Sequence, residues 1–250
     1  MNLSNKDISF YKSNGYIKGG KILNNYEIND LRKAYDMCLD KLSKECKLKN
    51  IRPSFGLNGK IKKVYQIRTA HLHHNSFNNL LYKNEILDKV ELLIGKNIRL
   101  ILMQALYKPA NDGGEINWHQ DDFYFRVNKT DAVTSCWITL DKATTQNGCM
   151  WVIPKAHNKL LKHKKLENNL GYEIIKIDES KAVPQELEEG ECLFHHGLLP
   201  HKTLANTSKF HRRSISIHFM DALAKPKSDR QKEPFKNMPL LRGEGISWNK

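Results

Sequence analysis

The chain has 250 residues, and 41 Lys+Arg against 27 Asp+Glu leave a formal charge of +14. A 40% hydrophobic content and a mean hydropathy of −0.61 suit one soluble domain able to bury a core. They exclude a bilayer span, because the longest apolar stretches, such as Leu100 to Met103, fall far short of the roughly 20 residues a membrane helix needs.

The N-terminal segment Met1 to Tyr11 lacks the apolar run of a cleaved signal peptide. Asn5 to Ser13 suits a short helix and Tyr16 to Leu23 a strand. From Ile28 the apolar positions Leu31, Tyr35, Cys38, Leu39 and Leu42 share one helical face, with Asn24 or Asn25 as N-cap. Phe77 to Leu93 is helical in pattern, interrupted near Lys83 and closed by Gly95. After Lys96 the pattern becomes β-prone: Ile98 to Tyr107, Thr134 to Leu140, Cys149 to Ile153, Glu191 to His195 and Arg212 to Met220. Turn residues separate these runs at Pro109 to Gly114, Asn147-Gly148, Gly190 and Asn206 to Ser208. The expected fold is a β-rich α+β domain: a jelly roll, or double-stranded β-helix, over 98–222, with N-terminal helices (1–97) packed on it. The segment 223–250, with Pro226, Pro234 and Pro239, is expected to be irregular surface chain.

The chemistry concentrates in Trp118-His119-Gln120-Asp121-Asp122. On a strand, residues i and i+2 face the same side, so His119 and Asp121 present an imidazole and a carboxylate to one point. A third ligand must come from another strand, and His201 is the candidate. Two His and one carboxylate on one face leave three coordination positions open, the facial triad of non-haem Fe(II) oxygenases.

These residues sit in a longer pattern that resembles the phytanoyl-CoA dioxygenase family of Fe(II)/2-oxoglutarate oxygenases. One block is Trp118-His119-Gln120-Asp121, then Trp137-Ile138-Thr139-Leu140-Asp141-Lys142-Ala143-Thr144, then Asn147-Gly148-Cys149-Met150. Pro154-Lys155-Ala156-His157 is similar to the family's proline-glycine-serine-histidine turn, with two substitutions. The other block is Gly190-Glu191-Cys192-Leu193-Phe194, then His196-Gly197-Leu198-Leu199-Pro200-His201, then Arg212-Arg213-Ser214. The resemblance runs from about Ile98 to Ala222 and weakens in the N-terminal helices. It implies that His119, Asp121 and His201 ligate Fe(II), and that 2-oxoglutarate is the cosubstrate with O2. It implies that Arg212, eleven residues after His201, holds the 5-carboxylate, which a guanidinium fork binds bidentately. It also places Trp137 beside the cosubstrate and Gln104 near the iron. Thr203 and Ser214 lie two residues beyond His201 and Arg212, on the same faces, where each hydroxyl serves either the cosubstrate or the strand. Phe123 and Tyr124 follow the clamp, as core aromatics or as walls of the substrate pocket.

Other features take plainer readings. His71, His73 and His74 lack an evident further ligand and suit a loop before the Phe77 helix. His195 and His196 lack ligand spacing; His211 and His218 suit strand packing or surface. The five cysteines (Cys38, Cys46, Cys136, Cys149, Cys192) share no close spacing, which argues against a disulfide scaffold and for a reducing cytoplasm. Lysines outnumber arginines 32 to 9 and are scattered. A nucleic-acid partner, which needs a basic stripe with interleaved aromatics, is therefore not expected, nor is a membrane partner. Lys155, Lys159, Lys162, Lys164 and Lys165 form either a solvated loop or a collar attracting an anionic substrate.

The expected activity is hydroxylation of an unactivated C–H in a small, anionic metabolite, with release of succinate and CO2. A non-catalytic jelly-roll binding module would need a lost ligand, and none is lost. A hydrolytic zinc site would leave Arg212 without a purpose.

Overall fold

The computed structural model describes residues 2–44, 65–111, 113–166, 171–227 and 237–245; Cys46 and Pro234 lie outside the described residues. Ser4 opens helix α1 (Asn5–Asn14) with a capping box, its hydroxyl accepting from the Asp7 amide while the Asp7 carboxylate accepts from the Ser4 amide. Strand β1 spans Tyr16–Lys21. Asn24 and Glu27 make the same reciprocal pair ahead of helix α2 (Asn25–Lys44), whose stripe of Ile28, Leu31, Tyr35 and Cys38 is buried. Strand β2 (Tyr65–Arg68) precedes helices α3 (Asn75–Leu81) and α4 (Asn84–Ile94), which break at Tyr82 and Lys83; Gly95, at φ 102°, closes α4.

The β body follows: β3 (Ile98–Lys108), β4 (Ile116–His119), a helical turn α5 (Asp122–Phe125), β5 (Val133–Thr139), β6 (Met150–Val152), β7 (His163–Lys165), β8 (Tyr172–Ile174), β9 (Val183–Gln185), β10 (Glu191–His196), β11 (His201–Thr203), β12 (Arg212–Asp221) and β13 (Leu240–Arg242). A major sheet runs β1-β10-β5-β12-β3-β13, with β2 also on β3; a minor sheet runs β4-β11-β6-β9; β7 and β8 form a separate hairpin. Every pairing between these strands is antiparallel. This is the expected β-rich jelly roll with helices packed on one sheet.

Strand β12 shows why the layers form. Its alternate residues Ile215, Ile217 and Phe219 enter the core shared with Tyr35, Phe77, Ile86 and Val90 of the helices. The other row, Arg212, Ser214, Ser216 and His218, is also buried. Period-2 alternation thus gives one strand an apolar outer row under the helices and a polar inner row. On β5, Cys136 and Ile138 join the outer core while Trp137 joins a separate inner cluster with Met150, Val152 and Leu199.

Two boundaries differ from expectation. The strand expected over Tyr16 to Leu23 forms as β1, but the N-terminal third also contributes an unexpected strand, β2, to the major sheet. The C-terminal segment contains β13, paired with β3 through Leu240 and Arg99. β13 is short and partly exposed, so its sequence carries little apolar alternation. The Asn147-Gly148 turn forms as expected: Gly148 sits at φ 89°, and a Cβ there would meet Leu204 O at 2.6 Å.

Candidate metal and cosubstrate site

β4 and β11 are antiparallel neighbours with His119 opposite His201, which sets their rings 4.1 Å apart, centroid to centroid. Asp121 is not on a strand: β4 ends at His119, and Asp121 takes αR backbone (φ −59°, ψ −41°) as the N-cap residue just ahead of the α5 turn. The turn, rather than strand alternation, swings the carboxylate back toward the imidazoles. Asp121 Oδ1 lies 3.9 Å from His119 Nε2 and 3.8 Å from His201 Nε2. Among the described residues this is the group of acids and imidazoles whose ligand atoms converge, all within 4.8 Å of one another.

The second nitrogen of each imidazole is committed. His119 Nδ1 is 2.8 Å from Asn117 O, and His201 Nδ1 is 2.9 Å from Leu199 O. Each Nδ1–H donates to a carbonyl, which leaves Nε2 as a lone pair facing the cluster. Burial, reinforced by the His201 ring, pushes His119 down to about 4. Burial also takes His201 to about 4, against the opposing pull of Asp121. Burial alone would raise the Asp121 carboxyl, but His218, His201 and the hydrogen bonds from His195 and His218 hold it well below the usual carboxylate range. At neutral pH the cluster is two neutral imidazoles and a carboxylate, the protonation state a divalent metal requires.

Asp121 Oδ2 is engaged elsewhere. Ser135 Oγ donates to it at 2.7 Å, His195 Nε2 lies at 3.0 Å and His218 Nδ1 at 3.2 Å. Sequence reasoning gave His195 and His218 plainer readings and did not name Ser135. Counting by twos from Arg212 through Ser214 and Ser216 arrives at His218, and that alternation was the available signal. His195 and Ser135 had none, because their approach depends on strand register. Gln104 touches this network rather than the ligands, with Nε2 at 3.0 Å from His218 Nε2.

Arg212 is 1% exposed, with its guanidinium carbon 5.8 Å from the Trp137 ring and one terminal nitrogen donating to Ser214 Oγ. Burial lowers it only to about 10, so it remains a cation. Its Nε has no hydrogen-bond partner, nor has the buried Thr203 Oγ1. Buried polar atoms are almost always paired, so a buried guanidinium with an unpartnered Nε fits a bound carboxylate. Arg213, on the opposite face, pairs with Asp141 at 3.0 Å and with Asp36 at 3.3 Å. Lys108, the cross-strand partner of Arg212, is fully buried; burial and the nearby Arg212 hold its ammonium well below the ordinary lysine range.

Two residues after Asp121, Phe123 stacks on His163 at 4.1 Å and lies 4.9 Å from Tyr172. Tyr124 is 42% exposed with its ring 6.4 Å from His119. Lys155, Lys159, Lys162, Lys164 and Lys165 are all exposed, and Lys164 pairs with Glu173 at 2.9 Å. The N-terminal trio is structural in part: His71 is buried in a 3₁₀ turn, and His74 caps α3 by accepting from the Ser76 amide.

The family model "Phytanoyl-CoA dioxygenase (PhyH)" matches residues 11–214. Phytanoyl-CoA dioxygenase 1 of Oryza sativa subsp. japonica is 24% identical over 252 residues, covering 88% of this chain and 89% of that protein. The peroxisomal phytanoyl-CoA dioxygenase of Homo sapiens is 32% identical over 148 residues, covering 55% of this chain and 44% of that one. The chain spans about half the length of several curated relatives it matches. A solved structure with the same fold is the epimerase SnoN in complex with Fe3+, alpha ketoglutarate and nogalamycin RO, at TM-score 0.72 and 20% identity, covering 98% of this chain and 95% of that one.

Proposed function

The chain belongs to the phytanoyl-CoA dioxygenase family of Fe(II)/2-oxoglutarate-dependent non-haem enzymes, and on that basis we propose that it hydroxylates an unactivated C–H of a small, anionic metabolite. In this reading His119 Nε2, Asp121 Oδ1 and His201 Nε2 hold Fe(II). Arg212 receives the 5-carboxylate of 2-oxoglutarate, with Thr203 Oγ1 and Ser214 Oγ beside it and Trp137 as an apolar wall. Fe(II) with 2-oxoglutarate and O2 supplies the oxidising chemistry, and succinate and CO2 are the co-products.

The protein contributes placement. The Asn117 and Leu199 carbonyls orient the two imidazoles, and the surrounding buried strands exclude water from the inner face of β12. Phe123 and Tyr124 border the metal ligands on the side toward the β7–β8 hairpin, where an organic substrate would lie against them. The lysines from Lys155 to Lys165 favour an anion on that side. Four free cysteines among the described residues, Cys38, Cys136, Cys149 and Cys192, suit a reducing compartment such as the cytoplasm. No described helix is long and apolar enough to cross a membrane.

The observation that carries the reading is the convergence of one carboxylate oxygen and two imidazole nitrogens from two chain segments, 119–121 and β11. The test supplies Fe(II), 2-oxoglutarate and O2 with pools of carboxylated, phosphorylated and thioester metabolites. Succinate release that rises with one pool, together with a substrate product heavier by one oxygen atom, is the expected result. Failure of the Fe(II)-loaded protein to bind 2-oxoglutarate at all would remove the proposal.

A further inference from the structure

His195, Ser135 and His218 belong to three adjacent strands and occupy one cross-strand row: Ser135 pairs with His195 on β10 and with His218 on β12. All three side chains point inward and reach the same oxygen, Asp121 Oδ2. A carboxylate oxygen offers two lone pairs, so the Ser135 hydroxyl at 2.7 Å and the His195 Nε2–H at 3.0 Å saturate it, with His218 acting through Ser135. The other oxygen, Oδ1, faces the Nε2 atoms of His119 and His201.

We infer that Ser135, His195 and His218 restrict Asp121 to one-oxygen metal binding, and that Gln104 sets the His218 tautomer on which this depends. The inference rests on the metal reading above and names four positioning residues for it. The donors account for one another. The Gln104 amide N–H donates to His218 Nε2, at 3.0 Å. His218 Nδ1 therefore carries its proton and donates to Ser135 Oγ, at 2.7 Å. Ser135 in turn donates its hydroxyl hydrogen bond to Asp121 Oδ2. His195 presents Nε2–H to the same oxygen, and its Nδ1 has no partner.

The consequence concerns the number of coordination positions. Two imidazoles and one carboxylate oxygen leave three positions of an octahedral ion open, enough for a two-oxygen chelate and one further ligand. A carboxylate free to rotate and chelate with both oxygens would close one of them. The network therefore protects the position that the reaction requires, in addition to strengthening metal binding.

Co(II) is the probe, because the intensity of its visible absorption reports coordination number. The wild type should bind Co(II) with the weak absorption of a six-coordinate ion and then bind 2-oxoglutarate. Ser135→Ala and His195→Phe should each weaken Co(II) binding by roughly 10- to 100-fold, change the absorption intensity and weaken 2-oxoglutarate binding to the Co(II) form. His195→Gln, which restores an N–H near the lost Nε2, should recover most of the Co(II) affinity. Circular dichroism checks folding, and Ser135→Ala, the smaller change, decides the matter should His195→Phe fail to fold. Wild-type Co(II) affinity and absorption in folded Ser135→Ala would overturn the inference. So would a His195→Gln protein as weak as His195→Phe, since packing and not hydrogen bonding would then be the role. A wild type that binds no Co(II) would reject the metal reading itself, and this inference with it.

Discussion

Arg212 and Arg213 are neighbours on β12, and the pleat sends them to opposite faces. Arg212 is buried beside Trp137 and Ser214 with an unpaired Nε, whereas Arg213 is neutralised by Asp141 and Asp36. Removing Arg212 deletes a charged hydrogen bond to a carboxylate, worth about 1.5–3 kcal/mol. Arg212→Ala should therefore weaken 2-oxoglutarate binding by about 10- to 150-fold. Arg213→Ala should leave that binding nearly unchanged and cost on the order of 1 kcal/mol of stability, as expected for partly exposed ion pairs. Titration of 2-oxoglutarate into both metal-loaded variants checks the assignment, and the reverse order would show that Arg213 is the anion's partner. At the metal, His119→Ala, Asp121→Ala and His201→Ala should each abolish succinate formation while the fold persists. Full activity in any one of them at normal iron loading would remove that residue from the ligand set.

Strand β12 carries two functions in alternate residues, and variants on its two rows should separate them. Ile217 is fully buried on the row that meets the helices. Ile217→Ala should cost about 2–5 kcal/mol through lost burial and the cavity left behind, with metal affinity preserved in whatever protein remains folded. Denaturant unfolding beside Co(II) titration tests this, and a large loss of affinity without loss of stability would contradict the division. The β7–β8 hairpin makes a different case. His163 faces Phe123 and the Gln120 amide, next in sequence to His119 and Asp121, while Lys162, Lys164 and Lys165 are exposed around it. If these charges capture an anionic substrate, its second-order rate should fall with salt while the maximal rate holds. The Debye length shrinks from about 10 Å at 0.1 M to about 3 Å at 1 M, which screens such steering. Replacing the three lysines with Gln should mimic high salt. A neutral substrate with no salt dependence would assign them to solvation alone.

For the molecule as a whole, buried neutral histidines make stability depend on pH. His119, His196 and His201 are each pushed to about 4, burial being the main cause, with neighbouring imidazoles adding to it. In the unfolded chain they titrate near 6.5, so between pH 6.5 and 4 the unfolded state binds more protons than the folded one. Stability from these groups is complete above pH 6.5 and is lost as pH falls toward 4, at up to about 1.4 kcal/mol per pH unit for each. Asp122 opposes the trend, since burial raises its carboxyl to about 6, but it is one group against three. The metal-free protein should therefore unfold at lower denaturant at pH 5 than at pH 7. Equal or greater stability at pH 5 would mean that the imidazoles are charged in the fold.

The jelly-roll class and the strands after Lys96 were legible in the chain because they follow from local rules, and the family resemblance marked His119, Asp121 and His201, whose ligand atoms converge. Apolar periodicity changes from helical to alternating, and few side chains other than His and carboxylates bind iron. Period-2 counting along β12 also places Arg212 and Ser214 on one face. The αR turn that aims Asp121, the β13 edge and the row of His195, Ser135 and His218 were not legible. Ser135 reaches Asp121 across 14 residues, His195 across 74, and His218 meets Ser135 across 83. Such contacts depend on the register of β10, β5 and β12, which no local pattern encodes. Residue chemistry and local periodicity name candidate ligands, but register between distant strands determines which polar side chains meet behind them.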